Sequence, residues 1–233
     1  DPFIETGEEV AVLKFRDIRE GIWKIRLYGE RIIEGKYWSW LPQRELLDKD
    51  TRFIDPIQST TLTIPSTGLG LISSGHYNQD LNTTVSTSGL GYTRDGRIKP
   101  DIAAGGVNAT VIKPGGGITV ASGSSVASAV LAGCCALILQ WAIPEKNDPG
   151  VTLLTLTTYI ISGAKMRQGD VYPNKEWGYG MLDIQNVFNS FRNKEVCYPL
   201  LKEKYTELNT VKKNMKEQYV EYSIGELFFR IPK

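Results

Sequence analysis

Apolar and polar residues alternate near the start of the chain, and an almost unbroken apolar run lies past its midpoint. Glu9–Phe15 and Ile22–Tyr28 follow a period of two. In the second run Trp23, Ile25 and Leu27 share one face and Lys24 and Arg26 the other, after the turn-prone Arg19-Glu20-Gly21. This predicts two antiparallel, half-buried strands, which need further strands beside them. Tyr37 to Pro65 reads as a connector, because Pro42 and Pro56 interrupt any long element. From Leu69 the pattern becomes α/β. Leu69–Ser74 reads as a short strand, Ser86–Gly96 as turns, and Lys99–Ala104 as a lead into a glycine turn at Gly105-Gly106. Val107–Ile112 follows, then the flexible Pro114–Gly117, a strand over Ile118–Ala121, and at once the apolar helix that reaches Ile143. Further helices are predicted over Leu153–Ala164, Leu182–Phe191 and about Leu200–Gln218, with a final strand over Tyr222–Ile231.

The apolar helix admits two readings. Val126–Ile143 is about eighteen residues, at the lower edge of bilayer-spanning length. It also carries Ala127, Ser128, Ala129, Ala132 and Gly133, small residues that let neighbouring backbones approach, as in a helix covered on all sides inside an α/β sandwich. No second span and no basic flank accompanies it, so no membrane span is expected.

Composition narrows the field without choosing a function. The 233 residues are 41% hydrophobic, enough for a substantial core. Twenty-seven basic residues against 26 acidic ones leave a net charge of +1, so no broad electrostatic footprint for nucleic acid is expected. Cys134, Cys135 and Cys197 lack metal-ligand spacing and read as buried or incidental thiols; no metal or cofactor is expected. The chain begins at Asp1 without a signal-like segment, and an upstream portion is expected.

Candidate chemistry concentrates at Gly123-Ser124-Ser125-Val126-Ala127, where a small-residue turn places a hydroxyl at the mouth of the apolar helix. Small residues let a substrate approach, and the free N–H groups of a first helical turn favour developing negative charge. The plainer reading makes a serine the N-cap.

Three blocks then resemble the C-terminal half of the subtilisin-like serine proteases. Arg97–Ala104 is similar to that family's Lys-Pro-Asp block, Gly123–Gly133 to its serine block, and Trp177–Asp183 to the glycine-rich segment before its last helix. The flanks Trp40-Leu41-Pro42, Thr51-Arg52-Phe53, Thr61–Pro65 and Leu227–Pro232 resemble the clostridial branch that includes spore-germination subtilases. The resemblance implies an α/β fold, the C-terminal part of a parallel-sheet sandwich, with remnants of an inserted jelly-roll β domain. Residues 1–40 would be the terminal strands of that insertion, 41–192 the C-terminal part of the peptidase domain, and 193–233 a helix-and-strand extension. An extracellular or spore-associated setting is suggested by the resemblance alone.

Carried onto this chain, the family mechanism makes Ser125 the nucleophile, acting on a polypeptide substrate through an acyl-enzyme. It also needs a histidine base, an aspartate that orients it, and an oxyanion asparagine. No segment resembles the blocks that carry them. The sole histidine, His76, lies in Ser73–Asn78, which resembles a family strand end, and is expected to be solvated at a loop end or hydrogen-bonded. The missing N-terminal part of the domain is therefore an expected partner. The serine block departs from the pattern at Ser124, Val126 and Ala129, and Gly105 replaces the proline of the preceding turn. Ser66 stands where relatives carry glycine beside the specificity pocket, so substrate preference is unreadable from this segment. These departures keep a second class open, a non-catalytic relative that binds or regulates. A third class is a membrane-attached structural protein.

Overall fold

The computed structural model describes residues 10–29, 35, 37–42, 46–193 and 226–231. Among them the elements run β1 (Gly21–Arg26), β2 (Arg52–Phe53), β3 (Ser74–Asn78), β4 (Thr83–Thr84), β5 (Ile102–Gly105), β6 (Ala109–Ile112) and β7 (Ile118–Ala121). Helices α1 (Ser124–Ala142), α2 (Leu153–Ser162) and α3 (Ile184–Asn193) follow, then β8 (Glu226–Ile231). They fall into two compact units, Asp1–Pro56 with Gln218–Lys233, and Ile57–Glu217.

In the first unit β8 is the central strand of a three-stranded sheet, antiparallel to β1 on one side and to β2 on the other. Trp23 and Ile25 on β1 are half-buried while Ile22, Lys24 and Arg26 are exposed, as the alternation predicts. The strand predicted over Glu9–Phe15 is absent from its described part: residues 10–15 are irregular, and Val12 is 74% exposed. Alternation sets faces, but a strand also needs a ladder for its backbone groups, and this stretch is in none among the described residues. The predicted helix over Leu200–Gln218 lies outside the described residues.

The second unit is built on a parallel pair. β3 and β5 run side by side with Ser74 opposite Ile102 and Tyr77 opposite Gly105, and β4 folds back onto the end of β3. The strand predicted at Leu69–Ser74 therefore begins only at Ser74. Upstream of it the backbone groups bond to side chains: Lys99 Nζ donates to the Leu71 carbonyl (2.9 Å), and the Ser73 N–H donates to Asp101 Oδ2 (2.8 Å). β6 and β7 form a separate hairpin, Ala109 opposite Ala121, closed by the glycines at 115–117. The strand leading into α1 thus belongs to this hairpin and not to the parallel sheet.

α1 packs on β3, β5 and α2 through one stripe, Ala127, Leu131, Cys134, Ile138 and Ala142. By length and composition it could cross a bilayer, and its other faces stay open among the described residues, with Leu137 half exposed. Ile102 at the base of β5 meets Leu131 and Ile138 of α1, Leu156 and Ile160 of α2, and Val187 of α3 in the main core. Thr152 caps α2 by accepting the Thr155 N–H (3.3 Å). α3 approaches α2 where Gly163 lies against Val187; a Cβ there would sit 2.4 Å from the Val187 side chain. Trp141, Tyr159 and Phe191 close that end with stacked and edge-on rings.

A buried ion pair ties the parallel strands to the segment before α3. Lys99 Nζ lies 2.5 Å from Asp101 Oδ2, with the two side chains 7% and 1% exposed. Ser73 donates to the same carboxylate oxygen through both N–H and Oγ. The Tyr179 N–H donates to the Asp101 carbonyl (3.0 Å), and Gly180 and Leu182 bracket Ala103 with further backbone bonds. Gly178 is obligatory here. Its φ is +58°, and a Cβ would lie 2.1 Å from the Pro100 carbonyl oxygen.

Removing one member of a buried pair strands the other charge, at a cost of about 3–5 kcal/mol. Asp101→Asn is therefore expected to lower the denaturant midpoint of the second unit, followed by Trp177 fluorescence, by that equivalent. Asp95→Asn, in the more exposed pair with Arg97, is expected to change it by about 1 kcal/mol or less.

Candidate functional site

The serine turn is held from both sides by backbone bonds. The Gly106 N–H donates to the Tyr77 carbonyl at the end of β3 (3.1 Å), and the Gly123 N–H donates to the Gly106 carbonyl (2.7 Å). One turn further on, the Asn108 N–H donates to Ser122 Oγ (2.8 Å), which prolongs the β6–β7 ladder up to the helix. Gln79 fixes the other side of the turn: its carboxamide accepts the Val107 N–H (3.1 Å) and donates to the Val107 carbonyl. Gly106 permits the close approach, since a Cβ there would lie 2.8 Å from the Gly123 carbonyl oxygen and 3.2 Å from Ala127 Cβ. Gly123 itself has φ +135° and ψ 168°, a conformation that residues with a side chain rarely adopt.

This geometry bears on the capping alternative. The N-cap of α1 is Gly123, and no side chain caps the helix. Ser125, the second residue of α1, is exposed, and its Oγ has no hydrogen-bond partner among the described residues. The first turn carries no acidic residue; the Val126 and Ala127 N–H groups donate to the Gly123 carbonyl (3.1 and 3.3 Å), which leaves those of Ser124 and Ser125 at the positive end of the helix dipole without a carboxylate in that turn. Beside it lies an open groove of about 490 Å³ lined by residues 109–112 of β6 and by Ser125, Val126, Ala129 and Val130 of α1. The arrangement presents an exposed serine hydroxyl at a helix start beside an apolar wall.

His76 takes no part in this hydroxyl's hydrogen bonding. It lies on β3 and is 4% exposed, buried against the turn where its Cβ would stand 3.1 Å from a Cβ on Gly106. Its Nε2 pairs with Thr87 Oγ1 (3.2 Å), while Nδ1 is buried without a partner. Of the two expectations for His76, solvated at a loop end or hydrogen-bonded, the structure shows the second: the ring is hydrogen-bonded and inside, because β3 passes beneath the start of α1. Burial lowers its pKa below the ordinary 6.5, with no charged group contributing. The thiols of Cys134 and Cys135 are pushed up by burial, which opposes the thiolate a cysteine nucleophile requires. Among the described residues no group of His, Cys, Asp and Glu could hold a metal ion.

The supporting residues Gln79, Gly106, Asn108 and Ser122 carry no local signal, since each acts on a partner far along the chain. The paired glycine turns at 105–106 and 123 were the one hint available, marking backbones that meet.

A parallel strand pair covered by an apolar helix that carries a serine in its first turn is an arrangement of the subtilisin-like fold. The profile of the subtilase family matches residues 54–180, and the chain belongs to that family. The CspB protease of Clostridium perfringens is 37% identical, superposes with a TM-score of 0.60, and matches 64% of this chain but 32% of its own. This chain thus spans about a third of that relative. The patellamide maturation protease PatA (20% identity, TM-score 0.46, 58% of this chain and 48% of its own) and the prenylagaramide maturation protease PagA (22%, 0.45, 57% and 46%) are more distant. No curated protein matches the chain.

His76 links the fold to pH. A histidine whose folded pKa lies below its unfolded value binds fewer protons when native, so its stabilising neutral form is intact above pH 6.5 and is lost as pH falls below it. Because it is the only histidine in the chain, unfolding midpoints measured from pH 7.5 to 5 are expected to fall, and His76→Gln to flatten that slope. A wild-type midpoint constant across the window would contradict the burial of a neutral ring.

Proposed function

We propose that this chain is the serine-bearing part of a subtilisin-type serine endopeptidase, with Ser125 as the nucleophile. The observation that carries the reading is the free, exposed Ser125 Oγ at the first turn of α1, on a turn fixed by the Gly106–Gly123 bond. In the reaction the hydroxyl adds to a peptide carbonyl, and the tetrahedral oxyanion receives hydrogen bonds from the N–H groups of the helix start. Collapse releases the amine and leaves an acyl-enzyme, which water hydrolyses.

Three roles remain to be supplied from outside these residues. A histidine must take the Ser125 proton and return it to the leaving amine, an aspartate must orient that histidine, and a side-chain amide must complete the oxyanion site. His76 fits none of them, being buried and bonded to Thr87. The remaining part of a subtilase domain is the partner this reading requires, and the exposed apolar face of α1 around Leu137 is the surface it would cover. A polypeptide is the proposed substrate, lying along the groove of β6 and α1. No cofactor enters the mechanism.

The substitutions at Val126, Ala129 and Gly105 favour a second reading, a regulator that keeps the fold and binds a partner without cleaving it. Chemical labelling separates the two. A longer form of the protein carrying the remaining subtilase segments is expected to add one fluorophosphonate group at Ser125, seen by mass spectrometry, and its Ser125→Ala variant none. The 233 residues alone are expected to react slower by about 10⁴-fold or more, as in triads missing a member. A folded longer form that stays unmodified would remove the enzyme reading in favour of the regulator.

A further inference from the structure

We propose that the space between β1 and β2 is a strand-acceptor slot, that Glu226–Ile231 is its donor strand, and that an extended peptide of that sequence supplied from outside binds in the same place. Among the described residues β1 and β2 form no ladder with one another, and β8 lies between them in the sheet. All six residues of β1 face β8, from Gly21 opposite Ile231 to Arg26 opposite Glu226. Arg52 and Phe53 of β2 face Arg230 and Phe229 on the other side. The strand that makes this sheet is therefore the last in sequence, reached only after the chain has left the first unit at Pro56 and returned at Gln218.

Two consequences follow from that order. Without the donor, β1 and β2 are both edges with unpaired backbone groups, the state in which a sheet accepts an added strand. Main-chain bonding of this kind depends on an extended backbone and little on covalent continuity, which is how sheet-edge recognition of peptides works. The donor is also suited to the role by composition, since Phe228, Phe229 and Ile231 are strand-favouring residues in a run without Gly or Pro. The C-terminal segment is accordingly a clasp for the first unit, and this inference is independent of any role for Ser125.

The test uses the full chain with a proline in the donor. N–H groups of successive residues point to opposite sides of a strand, so of Phe228→Pro and Phe229→Pro one removes a donor to β1. Amide hydrogen exchange is read at Ile22–Arg26 in the first unit and at 74–78 and 102–105 in the second. Exchange at Ile22–Arg26 is expected to rise about tenfold or more in at least one variant, while the second unit keeps its protection. A synthetic peptide of Glu226–Ile231 added to that variant is expected to restore slow exchange, and a scrambled peptide not to. Unchanged protection of β1 in both variants would overturn the proposal, as would loss of protection in both units together. Failure of the native peptide to restore β1 would overturn the acceptor slot.

Discussion

The carboxylate of Asp101 is the point on which the second unit turns. In one buried place it takes the Lys99 ammonium and both the N–H and hydroxyl of Ser73, while the residue's carbonyl takes the Tyr179 N–H. Lys99 in turn satisfies the Leu71 carbonyl. A buried pair of this kind gives little net stability relative to an apolar replacement, and its value here is positional. It sets where β3 begins, lays β5 alongside in parallel, and brings Trp177–Gly180 across the end of the pair, with Trp177 edge-on against Tyr77.

The serine turn inherits its position from that frame. β3 ends at the Tyr77 carbonyl, which holds Gly106; Gly106 holds Gly123; and α1 starts on the next residue with its buried stripe already seated on β3 and β5. Each link is a backbone bond in which a glycine N–H is the donor, so the geometry survives substitution of the flanking side chains better than a side-chain network would. That bears on Gly105 and Ala129, where family prolines are replaced: rigidity that proline would give the chain locally is supplied instead by Gln79 bonding both backbone groups of Val107 and by the Asn108–Ser122 contact.

What could be read from the sequence was what local pattern determines. The apolar run with its glycine-serine mouth gave α1 to within a residue or two, and the strand at Ile118–Ala121 and the starts or ends of α2 and α3 were legible in the same way. Ser125 stood out because the turn around it is made of small residues. The start of β3 was not legible, since it depends on Ser73 and Leu71 bonding to side chains 28 residues away. The short strands β2 and β4 lack any periodic signal at two residues each. For His76 the sequence left two settings open, solvated or hydrogen-bonded, and only the helix lying over β3 decides between them.

The account's central claim is that Ser125 is preformed in this chain and completed by groups outside it. The most direct measurement is a structure of a longer form containing the remaining subtilase segments. The account predicts an imidazole nitrogen within about 3 Å of Ser125 Oγ, from a histidine other than His76, with His76 still bonded to Thr87 beneath the turn. A structure in which His76 itself has moved to Ser125, or in which no imidazole approaches that hydroxyl, would contradict it.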